Sequence, residues 1–299
     1  DVCSSDLRMV VPQPAGGTMD TVMRALGEQL TRQMGQQFVI DNRGGANGII
    51  AGEIVAKAPP DGYTLIYTSN SLANNQLVHD KPPFDVLRDF LPVTQVLRSR
   101  GYYLVIHPQV PAQTLKELIE VSRGKMQIHY GSGGVGNSQH LLGELINKRA
   151  GAKLVHVPYK GFAPVIAAVI GGEIQLAFAS ALTVVPHIKA VRLRAVAMSG
   201  GKRWQGLPEV PTLSEAGMPG FVYDPAWHGV FAPAALPLTL ATRMQGEIDK
   251  ALASQKMKDT MELGGHMPVA STPAEFRRFM ENYLNEMRVI SQETGVKPL

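Results

Sequence analysis

The chain has 299 residues, of which 44% are hydrophobic and 18% charged. This is enough for two globular domains of about 150 residues each, and the composition excludes disordered, collagen-like and coiled-coil proteins. No stretch approaches the roughly 18 consecutive apolar residues that a membrane-spanning helix needs. The net charge of +4 comes from scattered Lys and Arg residues, so we do not expect nucleic acid as a partner.

The only cysteine, Cys3, excludes a disulfide framework and a cysteine-based zinc site. It lies in residues 1–7, DVCSSDL, which resemble the translation of a sequencing-adapter oligonucleotide joined to a truncated reading frame. We therefore interpret residues 1–7 as a non-native segment that takes no part in the fold. We expect any signal peptide to have preceded Arg8 and to be lost from this chain.

From Arg8 onward, short apolar runs alternate with segments of helical periodicity. The runs predict strands over Arg8–Pro12, Phe38–Asp41, Thr64–Thr68, Leu104–His107, Gln127–Tyr130, Val155–Val157, Ile174–Phe178, Arg194–Met198 and His228–Ala232. Helices are predicted around Val22–Leu30, Thr114–Arg123, Leu141–Ile146, Ala163–Ile170, Val184–Lys189, Leu238–Gln255 and Thr272–Glu293. Strands separated by helices are typical of α/β proteins, so we expect mostly parallel sheets flanked by helices.

The order of these elements predicts two lobes. The last two helices follow the final strand without a sheet of their own, so the chain should cross to a second lobe near residues 100–104 and return near 221–227. This predicts residues 8–102 with 226–299 as lobe 1 and residues 103–225 as lobe 2. Two crossings form a hinge, with a ligand cleft between the lobes.

Common catalytic motifs are absent from the sequence, which contains no P-loop, no HExxH and no GxSxG. The eight histidines never fall at the i, i+2 or i+4 spacing of local metal ligands. We therefore expect no metal and no cofactor.

One stretch, Gly131 to Gly136, matches GxGxxG between a predicted strand and a predicted helix. A dinucleotide-binding fold also needs an acidic residue about 20 residues later, but the next strand runs into Val157–Gly161, which has no carboxylate. The loop can still bind an anion, because glycines let backbone N–H groups converge and the helix N-terminus adds about half a positive charge. A tight turn without a ligand is the alternative.

A second loop of the same design, Pro14–Asp20, joins the first strand to its helix. Asp20 either caps this helix or accepts a hydrogen bond from a ligand, and we favour the cap. Thr68–Ser71 forms a third polar strand end. Three polar strand ends without a nucleophile–base pair indicate recognition rather than catalysis.

Seven motifs, in chain order, resemble those of one family. They are VPQPAGGTMD at 11–20, DNRGGANG at 41–48, APPDGYT at 58–64, GSGGVGNSQH at 131–140, HVPYKG at 156–161, PHIK at 186–189 and PTLSEAG at 211–217. From Arg8 to Leu299 the chain resembles the extracytoplasmic solute receptors of tripartite tricarboxylate transporters, the Bug or TctC family. The resemblance implies a type II-like periplasmic-binding-protein fold that closes on a small carboxylate-bearing ligand. It also implies a periplasmic location and delivery to a membrane permease of a large and a small subunit.

The resemblance also implies binding positions. The first loop (residues 13–20) and the glycine-rich loop (residues 131–138) resemble the pair that holds the ligand's proximal carboxylate through backbone groups and bridging waters. The implied positions are Gln13, Pro14, Ala15, Gly16, Gly17, Thr18, Asp20, Ser69, Asn70, Gly131, Ser132, Gly133, Gly134, Asn137, Ser138, Tyr159, Lys160, Ala179 and Ser180. We add Asp224, in the returning hinge segment. No arginine lies in either loop, so the hydroxyls of Ser132 and Ser138 are expected to assist the backbone donors.

Two positions depart from the family pattern. Gln13 stands where an aromatic residue is usual, and Ala179 stands where an aspartate is common. Loss of that aspartate argues against an amino-acid ligand, whose ammonium group would lack a counter-charge.

Two other functions remain open. An enzyme acting on a small organic acid would need a base, for which His140, Lys160 and Asp224 are the candidates. A helix-surface histidine, an anion-attracting lysine and a hinge aspartate are the more ordinary roles. A ligand-sensing co-receptor for a signalling system would use the same fold. We expect a monomer.

Overall fold

The computed structural model describes residues 6–78, 81, 83–224 and 226–296. Its strands are β1 (Leu7–Val11), β2 (Phe38–Asn42), β3 (Thr64–Ser69), β4 (Phe90–Ser99), β5 (Tyr103–Ile106), β6 (Ile128–Ser132), β7 (Leu154–Pro158), β8 (Leu176–Ala179), β9 (Arg194–Met198), β10 (Trp227–Pro233) and β11 (His266–Pro268). Its α-helices are α1 (Thr18–Met34), α2 (Ile49–Ala56), α3 (Ser71–Val78), α4 (Leu115–Arg123), α5 (Ser138–Ala150), α6 (Ala163–Ile170), α7 (Ala181–Lys189), α8 (Leu238–Leu252), α9 (Gln255–Leu263) and α10 (Pro273–Thr294). Among these described helices, none combines the length and the apolar character needed to cross a bilayer.

The strands form two sheets, one in each lobe. The first has the order β11-β4-β10-β3-β1-β2 and the second β7-β6-β8-β5-β9. Both are flanked by helices, so the fold is α/β and two-lobed as predicted. β4 and β5 lie in different sheets, as do β9 and β10, so the chain crosses between the lobes after β4 and returns before β10.

The expectation of mostly parallel sheets is wrong, because both sheets are mixed. β10 is antiparallel to β3 and β4, and β5 is antiparallel to β8 and β9. These two strands are the ones by which the chain enters each lobe after a crossing. They therefore start at the edge of the sheet where β3 and β8 end, and they run in the opposite direction.

The apolar core has three parts. One face of the first sheet packs against α1, α8 and α9. Its other face packs against α2, α3 and α10, and this cluster continues without a break into the second lobe beneath α4 and α5. The third part lies between the second sheet and the pair α6 and α7. Trp227, at the start of β10, is 1% exposed and contacts Phe276 and Tyr283 of α10 edge-on, which anchors the returning chain.

Leu7 belongs to the fold. It pairs with Phe38 in β1 and is 8% exposed, so the expectation that residues 1–7 take no part in the fold is wrong for Leu7. The Leu7 side chain packs in the part of the core between the first sheet and helices α1, α8 and α9, which keeps this apolar residue in place. Residues 1–5 lie outside the described residues.

The predicted helix over 238–255 is two helices. Ser254 ends α8 and starts α9, because its hydroxyl accepts the Met257 N–H. The helix predicted to start at Thr272 begins with a capping box: the Thr272 hydroxyl accepts the Glu275 N–H, and the Glu275 carboxylate accepts the Thr272 N–H.

Candidate functional site

Loops from the two lobes meet at the edge where β1, β3, β6 and β8 end. On one side, the Thr18 hydroxyl at the start of α1 lies 3.5 Å from the Ser180 hydroxyl and 3.4 Å from the Thr183 hydroxyl. Ser180 precedes α7 and directly follows β8. The first loop of lobe 1 therefore contacts the end of β8 directly.

On the other side, buried amides tie lobe 1 to the glycine-rich loop. The Asn70 side chain donates to the Ser138 hydroxyl, and the Asn74 side chain donates to the Gly136 carbonyl oxygen at 3.3 Å. Tyr102, in the crossing between the lobes, lies close to Ser138, and burial raises the pKa of Tyr102 to about 12. These contacts join both lobes and the hinge in one buried polar network.

The first loop is shaped by Asp20, which is 3% exposed in the first turn of α1. Its carboxylate accepts the Gly16 N–H at 2.9 Å, the Asn42 amide at 3.0 Å and the Arg24 guanidinium at 2.9 Å. Burial by itself would raise the pKa of Asp20, but these hydrogen bonds lower it by a larger amount. The pKa of Asp20 therefore lies below its ordinary value. The N-cap position is Gly17, and Asp20 instead binds the backbone just ahead of it. Both carboxylate oxygens are thus used to hold the loop.

The rest of the first loop presents backbone. Pro14, Ala15 and Gly16 are exposed, while Gln13, Gly17 and Thr18 are half-buried. The Gln13 carbonyl oxygen accepts a hydrogen bond from the Asn42 amide. Gly16 has a φ of +87°, a backbone conformation that favours glycine.

Glycines in the glycine-rich loop have different roles. A Cβ on Gly131 would lie 2.5 Å from Val165 and 2.7 Å from Ile174, so this glycine serves close packing beneath α6. Gly134 has a φ of +148°, a backbone conformation that favours glycine, so its role is to allow the turn. Gly133 is half-buried and has no positive φ, and a Cβ at this position would lie 3.2 Å from Nδ2 of Asn137.

Two polar residues of this loop are engaged within the protein, contrary to the expectation that they face a ligand. Ser132 is fully buried; its hydroxyl donates to the Gly134 carbonyl oxygen at 2.9 Å and lies 2.6 Å from Nε2 of His156. Its single proton is therefore used inside the loop. Asn137 is the N-cap of α5, where its side chain accepts the His140 N–H at 3.0 Å.

The turn after β7 supports the glycine-rich loop. The Tyr159 N–H donates to the Ser132 carbonyl oxygen at 2.9 Å, and the Gly161 N–H donates to the Gly133 carbonyl oxygen at 3.3 Å. Tyr159 is half-buried, and burial raises its pKa. Lys160 is exposed at the tip of this turn.

The remaining predicted positions differ in their surroundings. Ala179 is fully buried in the apolar core between β8 and α7, so its side chain packs in that core. Ser69 is half-buried, with its hydroxyl 3.0 Å from the Ser71 hydroxyl. Asp224 is exposed and has no hydrogen bond or ion pair to any other residue that the structure describes.

Sequence reasoning missed several residues at this boundary. Asn47, with a φ of +52°, donates to Asn75 and lies beside Gly134 of the other lobe. Asn47 belongs to the motif DNRGGANG, which is one of those that carried the resemblance. Asparagine adopts the left-handed conformation more often than most residues, and this preference was the signal that the sequence offered. Asn74 and Thr183 sit inside helices, where no local pattern marks them. His140 is buried against His156 instead of lying on a helix surface.

Two surface cavities, of about 240 and 250 Å³, lie elsewhere and are lined by none of the predicted site residues. One lies between Arg149 and Phe221, and the other between Leu7 and Met244. The contacts between the lobes, rather than these cavities, define the candidate site.

Comparisons with known proteins agree on one family. The sequence model described as tripartite tricarboxylate transporter family receptor matches residues 22–296. Protein BugT of Bordetella pertussis is 33% identical over 294 residues, which cover 97% of this chain and 90% of BugT. Among solved structures, R. palustris Rpa4515 with adipate matches with a TM-score of 0.94 and 31% identity over 100% of both chains. The periplasmic binding protein BugD matches with a TM-score of 0.92 and 26% identity, over 99% of this chain and 100% of BugD.

The family match spans nearly the whole chain, and the relatives share its two-lobed architecture. The chain therefore belongs to the Bug or TctC family, the extracytoplasmic solute receptors of tripartite tricarboxylate transporters.

Proposed function

We propose that this protein captures a small organic acid between its lobes in the periplasm and delivers it to a membrane permease of a large and a small subunit. The observation that carries the proposal is that two glycine-containing loops, one from each lobe, each form direct hydrogen bonds to the opposite lobe. Thr18 of the first loop contacts Ser180, and the glycine-rich loop is bonded to Asn70 and Asn74. Loops of this kind supply converging backbone N–H groups, which suit a carboxylate.

The electrostatics of the boundary favour an anion. The N-termini of α1 and α5 begin in the two loops, and each contributes about half a positive charge. Lys160 is exposed beside the glycine-rich loop and adds a full charge at its rim. Gly16, Gly17, Thr18, Gly133, Gly134 and Ser180 are the positions with backbone or hydroxyl groups best exposed for direct contact.

The class of ligand is supported by a relative. Rpa4515, which is 31% identical and has the same fold, was solved with adipate. We infer that a mono- or dicarboxylate is the ligand here as well. Ala179 leaves no carboxylate at the end of β8, so an amino acid is the less suitable choice.

We infer that the protein binds its ligand without converting it. Of the three candidate bases, His140 is buried and bonded to the loop backbone, while Lys160 and Asp224 are exposed and have no partner among the described residues with which to form an acid–base pair. A sensing co-receptor would use the same closure of the lobes. Transport and sensing differ in the partner protein, which is a permease in the first case and part of a signalling system in the second. We propose that the receptor acts as a monomer.

We propose the predicted lobe limits with the start of lobe 1 moved to Leu7, which gives residues 7–102 with 226–299, and 103–225. The membership of the two sheets supports this division, since β4 ends at Ser99 and β5 starts at Tyr103.

Thermal-shift measurements against mono-, di- and tricarboxylates, aromatic acids and amino acids test the ligand class. An acid that binds only the folded state raises the melting temperature, by an amount that grows with its concentration. Mass spectrometry should recover that acid unchanged, and X-ray scattering should show a more compact protein when it is bound. Chemical conversion of the acid would contradict the receptor function, and a shift only with amino acids would contradict the carboxylate class.

A further inference from the structure

Two histidines lie stacked directly against the glycine-rich loop. His140 is in the first turn of α5 and His156 is in β7. Their rings are 3.8 Å apart between centroids and 13° from parallel, and the ring of Tyr130 lies 5.1 Å from that of His156. His140 is 9% exposed. The pair is thus a packed feature beneath the candidate carboxylate site.

Each ring holds a different part of the loop. Nδ1 of His140 accepts the Gly136 N–H at 3.0 Å. Nε2 of His156 lies 2.6 Å from the Ser132 hydroxyl, which in turn is bonded to Gly134. The loop is therefore anchored near both ends by one stacked pair of side chains.

This arrangement requires an uncharged His140 ring. Because Nδ1 of His140 accepts a backbone N–H, its proton must be on Nε2, and a second proton on Nδ1 would place two donors against each other. Burial lowers the pKa of His140. Burial, together with the neighbouring His140, lowers the pKa of His156 to about 3.

Two other titratable groups face the pair. Glu144, one turn along α5 from His140, works against the shift by raising the pKa of His140. Its carboxylate accepts the Tyr130 hydroxyl at 2.7 Å, and burial raises the pKa of Tyr130 so that this hydroxyl keeps its proton. The surroundings therefore contain one carboxylate that is already bonded to a phenol, and the rings remain neutral near pH 7.

We propose that His140 and His156 are positioning residues for ligand binding, which as a neutral stacked pair hold the glycine-rich loop in the shape that presents its N–H groups to a carboxylate. The inference rests on the proposed function of that loop. It assigns the histidines no contact with the ligand. Their effect on affinity runs entirely through the loop backbone.

His140→Asn and His140→Leu separate this role from simple packing. Asn Oδ1 occupies nearly the place of His Nδ1, so it can accept the Gly136 N–H, whereas Leu fills similar volume without an acceptor. With adipate as the probe, calorimetry should give an affinity about tenfold or more weaker for His140→Leu, because a buried N–H loses its partner. His140→Asn should stay within about threefold of the original protein. His107→Leu, at the far end of β5, is the matched control and should bind adipate normally.

The pH profile supplies a second readout. The ratio of the adipate affinities of the original protein and His140→Asn cancels the titration of adipate itself. This ratio should be constant above pH 6.5 and should fall on acidification, because only the original protein can protonate the acceptor. A ratio that already falls between pH 8 and 6.5, which would show a charged His140 near neutral pH, or equal losses in His140→Asn and His140→Leu, would overturn the proposal.

Measurements without ligand distinguish failure of this inference from failure of the proposed function. Nitrogen-15 NMR should show His140 neutral with its proton on Nε2 at pH 7. Hydrogen exchange at Gly136 should be slow in the original protein and in His140→Asn, and fast in His140→Leu. If adipate does not bind at all, the proposed ligand class fails, while these two readouts still decide the positioning role. A protonated His140 at pH 7, or equal protection of Gly136 in all three proteins, contradicts it.

Discussion

Ser138 links three parts of the molecule through one hydroxyl group. It is 2% exposed, accepts a hydrogen bond from Asn70 of lobe 1, and lies close to Tyr102 in the crossing between the lobes. A residue expected to donate to a ligand therefore also stabilises the contact between the lobes. Its contribution to affinity includes the closed arrangement itself.

Ser138→Ala should weaken ligand binding about tenfold or more. The substitution removes the hydroxyl donor expected for the ligand carboxylate, which is worth about 1.5–3 kcal/mol, and also the Asn70–Ser138 hydrogen bond of the closed form. Calorimetry with the best acid from the thermal-shift screen measures the loss. Arg43→Ala is the control: its ion pair with Asp41 is 2.8 Å long but half-exposed, so affinity should hardly change. A neutral Ser138→Ala together with a binding-deficient but folded Arg43→Ala would show that the site is misplaced.

Asp20→Asn should destabilise the first loop. The amide that replaces one carboxylate oxygen cannot accept from Gly16, Arg24 and Asn42 together, so we expect a loss of about 1–3 kcal/mol in the free energy of unfolding. Because the folded pKa of Asp20 is lowered, its contribution is present above the unfolded value near 3.8 and disappears as the pH falls below it. Urea denaturation at pH 7 measures the loss. Asp249→Asn, at an exposed position of α8, should leave the stability unchanged.

At the scale of elements, β4 shows what sequence periodicity does not detect. This strand lies between β10 and β11 in the first sheet, yet no strand was predicted there. Pro92 lies within it and lacks the N–H that a central strand normally donates. The pairing of β4 with β10 shifts register between Val230 and Phe231, next to the proline. The irregularity accommodates the proline and hides the strand from pattern-based prediction.

The glycine-rich loop allows folding and binding to be separated by two matched substitutions. Gly133→Val should abolish binding by blocking the approach to the backbone. The fold should survive with a moderate loss of stability, because no positive φ is required but the nearest atom to its Cβ, Nδ2 of Asn137, is only 3.2 Å away. Gly131→Val should instead destabilise the protein, because its Cβ would lie 2.5 Å from Val165. Differential scanning calorimetry and ligand titration of both variants provide the test. Normal binding by Gly133→Val would contradict the assigned carboxylate site.

At the scale of the whole molecule, buried histidines make the fold sensitive to acid. Burial lowers the pKa of His156 and His228 to about 3 and that of His266 to about 4, and it also lowers the pKa of His140. In the unfolded chain these groups titrate near 6.5. Below that pH the unfolded state binds more protons than the folded state, so stability falls as the pH falls.

Unfolding free energy should therefore be constant from about pH 8 to 6.5 and decrease from pH 6.5 towards 4. Each histidine contributes at most about 1.4 kcal/mol per pH unit in this window. Urea denaturation at several pH values measures the slope. His156→Gln, which keeps an N–H donor near the position of Nε2, should reduce the slope, and His107→Gln, outside this set of buried histidines, is the control. A stability that does not change between pH 6.5 and 4.5 would contradict the neutral state of these side chains.

Closure of the two lobes is also a property of the whole molecule. The Thr18, Asn70 and Asn74 contacts all connect residues from different lobes, so an open form would have to break them. The apolar cluster beneath α10 runs continuously through both lobes, which leaves the opposite side, at Thr18 and Ser180, as the side where the lobes can separate.

The sequence by itself determined the alternation of strands and helices, the helix starts at Thr114 and Thr272 and the two loops at strand ends. These follow from local periodicity and short spacings, which a chain carries in adjacent residues. It also carried the family resemblance, which the comparisons confirm.

Only the tertiary structure decided which polar groups are free for a ligand. Three of these groups are already hydrogen-bonded to other side chains: Ser132 to His156, Asp20 to Asn42 and Ser138 to Asn70. The residues of each pair are between 22 and 68 positions apart in the chain. The antiparallel direction of β5 and β10 was likewise set by the two crossings. Hydrogen-bond partners and strand directions depend on elements that meet only after folding, so no local pattern could have assigned them.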